Sequence, residues 1–174
     1  MATGYLEIIK KQFESYKALG DKTFAQLTDE QIAWQYNGES NSIGVIVKHL
    51  WGNMLSRWTD FLISDGEKEW RDRDAEFDND IAGKEELLAK WNEGWKCMFN
   101  ALNNLTEDDL SKEIFIRRQS HTVMEAISRQ LSHYAYHVGQ IVFIGKMVLN
   151  EKWSSLSIPK GGSDQYNKEK FLGK

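Results

Sequence analysis

Four histidines, His49, His121, His133 and His137, are the residues whose type and spacing could do chemistry. His133 and His137 stand four apart, so on a helix their imidazoles leave one face with Cβ atoms roughly 6 Å apart, a gap one metal ion can bridge. Stepped at 100° per residue, the pair borders an apolar arc of Ala126, Ile141, Ile144 and Val148, with Arg129, Gln130 and Gln140 just beyond. His49 repeats this placement between Val45 and Ile63 on one side and Ile46 and Leu50 on the other, with Asn53 a turn away. Two such helices side by side would bring three neutral nitrogens to one divalent ion at about 2.0–2.1 Å and leave a position for water or substrate, as in catalytic rather than structural centres. The competing reading is three hydrogen-bonded core histidines. It needs three separate buried polar partners, and each ring left without one costs ~1–3 kcal/mol, which favours the metal. His121 precedes a helix start and is read as a surface or capping residue, outside the ligand set.

Leu6, Ile9, Phe13, Tyr16, Phe24 and Leu27 form one helical stripe, followed by a capping box of Thr28 and Gln31 that opens a short helix fading near Asn37-Gly38. A second long helix starts from Asn41 or Ser42, carries Ile43, Ile46, His49, Leu50, Met54 and Phe61, and ends around 64–66. Leu88, Trp91, Trp95, Met98, Leu102 and Leu105 mark a third, with Cys97 on its packed side. Thr122 and Glu125 form another capping box, opening a fourth helix that runs to about Leu149 and holds His133 and His137. Leu27-Thr28-Asp29-Glu30 and Leu105-Thr106-Glu107-Asp108 repeat the same junction, so the chain reads as two copies of helix, capped short segment, helix. The expected fold is all-α: a four-helix bundle in one domain, 1–174, with a long connection between its second and third long helices. Residues 65–80 hold eight acids against three basic residues without helical period, and read as a solvated connection with no assigned chemistry. From about 150 the segment WSSLSIPKGGSDQYN is irregular.

Composition narrows the function. Twenty-two Lys and Arg against 26 Asp and Glu give a net charge of -4, without the basic excess of a nucleic-acid binder. Leu131 to Gly145 is too short and too polar to span a membrane, no signal peptide opens the chain, and one Cys allows no internal disulfide; the expectation is a cytoplasmic protein. A single Pro, Pro159, leaves the helices before it uninterrupted.

SIGVIVKHL at 42–50 and HTVMEAISRQLSHYAYHVGQIVFIGKM at 121–147, with three inward histidines, resemble the DinB-like superfamily of metal-dependent bundle proteins, and the similarity spans essentially the whole chain. GEKEWRDRDAEF and LSIPKGG resemble an uncharacterised branch of it. The resemblance implies an up-down-down-up four-helix bundle, zinc or nickel held by His49, His133 and His137, thiol-dependent transferase or isomerase chemistry, and a homodimer. Iron or manganese would also suit such ligands.

Three functions follow. The ion could favour the thiolate of a low-molecular-weight thiol and position it to attack a small electrophilic substrate. It could instead generate hydroxide to hydrolyse a small amide or ester, although Glu125, turned about 80° from His133, is a poor base for this. Or the bundle could bind a metal or small ligand without catalysis. Any reactive thiol would be borrowed, because Cys97 reads as a buried structural residue. Asn53 and Gln140 are candidate partners of the histidines, Arg57 could attract an anionic substrate group or pair with Asp60, and Tyr136 could reach a substrate at the polar edge.

Overall fold

The computed structural model describes residues 4–172. It is mostly helical. Four long helices, α1 (Tyr5–Phe24), α3 (Ile43–Trp58), α4 (Lys84–Asn103) and α5 (Val123–Leu149), surround one core, with α2 (Asp29–Ile32) between the first two and α6 (Ser163–Leu172) at the end. No helix among the described residues is long and apolar enough to cross a membrane.

The helix starts follow local chemistry. The side chains of Thr28 and Thr122 each accept an N–H of the first turn, while Gln31 and Glu125 accept the cap residue's own N–H. Ser42 caps α3 through the N–H of Val45. Glu125 is thereby engaged at the helix start, not poised as a base. Each long helix buries one stripe: Phe13, Leu50, Trp95, Met98, Tyr134 and Ile141 are all fully enclosed or nearly so.

Contacts between the stripes set helix directions. Tyr5 meets Ser128, Phe13 meets Tyr134 and Thr23 lies beside Gly145, so α1 and α5 run the same way. Trp51 meets Glu93 and Thr59 meets Cys97, so α3 and α4 also run together. His49 lies against His133 and His137 whereas Trp58 bonds Tyr134, so α3 and α5 oppose one another.

Three segments differ from the expectation. The chain leaves α3 at Trp58, well short of Ser64, through Asp60 in the left-handed region at φ 50°. Residues 113–122 form a hairpin, β1 (Glu113–Ile116) and β2 (Gln119–Thr122). Its turn residues Arg117 and Arg118 have φ of 54° and 62°, and both of their N–H groups donate to the Asp65 carboxylate at 2.8 and 2.7 Å. That carboxylate supports a left-handed turn normally given to Asn-Gly. Third, residues 163–172 are helical, exposed and without a buried stripe.

Candidate metal centre

His49 is carried on α3, and His133 and His137 on the facing surface of α5. Their ligand nitrogens all lie within 4.8 Å of one another. His133 Nε2 is the hub, 3.3 Å from His49 Nε2 and 3.1 Å from His137 Nε2. Nitrogens bound to one tetrahedral ion at 2.0–2.1 Å stand about 3.3 Å apart, the spacing that His133 Nε2 already keeps to each of the other two. His49 is buried; the other two are half-buried.

The partners of the outer rings decide which nitrogens face inward. His49 Nδ1–H donates to Glu76 Oε2 at 2.9 Å, and His137 Nδ1–H donates to Gln140 Oε1 at 2.9 Å. With the protons placed on Nδ1, both Nε2 atoms present lone pairs toward His133 Nε2, which has at most one proton to offer them. Three nitrogens converging this closely fit a cation better than a hydrogen-bond network. The residues present therefore fit a divalent ion, with Glu76 and Gln140 fixing ring tautomer and orientation as carboxylates and amides do around histidine-bound metals.

Glu76 comes from the acidic connection, where no chemistry was expected. A 3-10 turn, Ala75–Phe77, lays its carboxylate on α3 beside Gly52, where any Cβ would collide with it. Arg71 clamps the same carboxylate, Nε to Oε1 at 2.6 Å and Nη2 to Oε2 at 2.9 Å. Burial raises the Glu76 pKa, but the bonds from His49 and Arg71 outweigh it and hold the acid below its ordinary range. Phe77 stacks on the His49 ring, centroids 5.3 Å apart. The connection is thus partly buried, with Arg71 and Glu76 at 9% and 5% exposure, because it closes over the site. Eight acids stand between 65 and 80, and no local pattern distinguishes Glu76 from the rest.

The remaining candidates separate. Gln140 accepts from His137 Nδ1 through its amide oxygen. Asn53 accepts from the Tyr134 hydroxyl at 3.1 Å, which itself accepts from Trp58 Nε1 at 2.9 Å. This buried network underlies the neighbour of His133 and does not reach His49. Arg57 is buried too, donating to the Gly66 carbonyl and lying 3.6 Å from Glu67. Its acidic partner is Glu67, not Asp60. Tyr136 is 63% exposed, its ring edge-on to His137 at 4.9 Å. His121 lies on β2 opposite Ile114, outside the cluster. Cys97 is half-buried near the Met54 carbonyl, and burial pushes its thiol up despite Thr59, so it is no nucleophile for this site.

Two predictions arise here. Gln140→Leu leaves His137 Nδ1 without its acceptor, and its metal affinity should fall about 10-fold or more by competition with a chelator. The second concerns pH. Burial, then the neighbouring His137 and His49, lowers His133 to about 3, and burial lowers His137 to about 4, from an ordinary 6.5. In metal-free protein the unfolded chain gains protons below about 6.5 that the folded chain refuses until near pH 3–4. Stability is therefore complete above that value and falls with pH beneath it. The urea midpoint of chelator-treated protein should drop between pH 7 and 5, more steeply than in a His133→Phe variant.

Three histidines on opposed helices, oriented by a buried carboxylate and an amide, define a candidate metal centre in a predominantly helical protein. Residues 1–162 match the model of a family described as protein of unknown function, DUF1572. The chain belongs to this family. No curated protein matches it.

Proposed function

We propose that the chain is a metal-dependent enzyme of the DinB-like superfamily, an up-down-down-up four-helix bundle that transfers a low-molecular-weight thiol to a small electrophilic substrate. The parallel pairs α1/α5 and α3/α4, with α3 and α5 opposed, support that topology. One observation carries the function: Glu76 and Gln140 turn two imidazoles so that their Nε2 lone pairs converge with the third at 3.1–3.3 Å. A bound zinc or nickel ion supplies Lewis acidity, lowering the pKa of a coordinated thiol or water.

The chain's own residues keep His133 and His137 neutral at neutral pH through burial, and Glu76 and Gln140 fix the directions of His49 and His137. Three ligands leave a coordination position for a borrowed thiol. Glu76 is occupied by Arg71 and His49, and Glu125 by its helix cap, so neither is a free base. This favours a thiol, which deprotonates more readily than water, over the hydrolytic alternative.

The test is zinc- or nickel-loaded protein assayed with low-molecular-weight thiols against alkyl halides, epoxides and unsaturated carbonyl compounds. Conjugation that a chelator abolishes is the expected result. No conjugation across the panel overturns the reading, and metal-dependent ester or amide cleavage without thiol replaces it with hydrolysis.

A further inference from the structure

Beside the histidines the molecule carries a groove of about 490 Å³, within the range of small-molecule sites. Its position follows from the opposed helices. Ile46 lies one turn before His49 on α3, Gln140 lies just after His137 on α5, and both line the groove. Gln140 is the shared element, because its amide oxygen holds His137 Nδ1 while its side chain forms part of the groove wall. Tyr136 is shared in the same way, with its ring edge against His137.

The rest of the wall sets exposed aromatic side chains among the polar Glu39, Ser40 and Asn41. Tyr36 is 71% exposed and Phe143 63%, and Met147 lies beside them. Trp34 packs against Tyr36 with centroids 6.4 Å apart, so the connection between α2 and α3 supplies one aromatic wall and α5 the other. Left in water, these rings forgo the roughly 25 cal/mol per Å² that covering them would return. Among the described residues the one formal charge in the lining is the acid Glu39, with no Lys or Arg. A carboxylate or phosphate ligand would meet repulsion there, whereas a neutral or cationic aromatic compound would meet flat ring faces and an anionic rim.

We infer that this groove binds the electrophilic substrate, an uncharged or cationic compound built on an aromatic ring, seated against Tyr136 and Gln140, the neighbours of His137. The assignment rests on the thiol-transfer reading for its chemistry but not for its binding. For a benzylic halide the step balances simply. The thiol sulfur bonds the benzylic carbon as the carbon–halogen bond breaks, halide leaves with the bonding pair, and the thiol proton passes to solvent.

Binding is tested on chelator-treated protein by tryptophan fluorescence quenching, with 4-nitrotoluene as neutral probe and 4-nitrobenzoate as its anionic counterpart. The expected result is saturable quenching by 4-nitrotoluene, at least tenfold weaker affinity for 4-nitrobenzoate, and partial recovery of the anion in Glu39→Gln. Phe143→Ala and Tyr136→Ala, both at exposed positions, should each weaken 4-nitrotoluene about tenfold while far-UV circular dichroism stays unchanged. Non-saturable quenching, or affinities unchanged in both variants, overturns the inference. So does sedimentation showing a dimer that Phe143→Ala dissociates, since the groove would then be covered by a second copy. Metal-loaded protein is next given 4-nitrobenzyl chloride and thiol. Probe binding without conjugation removes thiol transfer and keeps the groove; conjugation without groove-dependent binding does the reverse.

Discussion

His133→Ala should reduce bound metal from one ion per chain to nearly none. His133 is the hub of the cluster, within 3.1–3.3 Å of both other ligand nitrogens, which do not depend on it for their own Nδ1 bonds. Its removal leaves His49 and His137 oriented as before, with two ligands in place of three. The affinity should fall by more than about a hundredfold, beyond the 10–100-fold typical of losing an orienting partner. The fold has little at stake, because in the metal-free site the Nε2 atoms of His49 and His137 both face that of His133, which has at most one proton to offer them. Circular dichroism should therefore be unchanged. The sharper readout is linkage: excess zinc or nickel at 1,000 times its wild-type Kd stabilises wild-type protein by about 4 kcal/mol, and the variant, bound more than a hundredfold more weakly, should gain no more than about 1.4 kcal/mol in its urea unfolding. Equal metal content by elemental analysis, or an equal shift, would remove the metal centre altogether.

Glu76→Gln should damage stability and metal binding together, and the two losses can be separated. The Arg71 guanidinium, with a side chain 1% exposed, is neutralised by the two Glu76 oxygens. An amide presents one oxygen and one NH2 group, so part of the clamp becomes donor against donor and the buried charge loses its counterion. Breaking such a pair costs about 3–5 kcal/mol, visible as a large fall in the urea midpoint. His49 meanwhile loses the charged acceptor that orients it, and metal affinity should drop about 10–100-fold. Combining Glu76→Gln with Arg71→Met removes the stranded charge and should recover most of the stability without recovering the affinity. If the double variant regained both, Glu76 would be a purely structural residue. If the single variant lost neither, the buried ion pair would carry none of the weight assigned to it.

Much of the frame was legible from local chemistry. The Thr28, Ser42 and Thr122 caps and the end of α5 at Leu149 fall where their residues indicate, because capping and helical period are decided within a few positions of the chain. The hairpin was not legible. Its turn is Arg117-Arg118, whose left-handed backbone is held by Asp65, 52 and 53 positions earlier. The early end of α3 has the same character, with Asp60 turning the chain so that Phe61 packs on Trp58 at 4.7 Å.

The site divides along the same line. Spacing alone determined that His133 and His137 share a face of one helix and that His49 borders the buried face of another, since 100° per residue is a property of the helix and needs no neighbour. Only the tertiary structure decided that these faces meet, that Asn53 serves Tyr134 and Arg57 meets Glu67, and that one acid of eight reaches His49 across 27 residues. The choice of Glu76 depends on where a non-helical connection closes over α3, on the space left above Gly52, and on Arg71 being buried beside it. Those conditions are set by the packing of the whole chain, whereas the ligand spacing is set by the backbone of two helices.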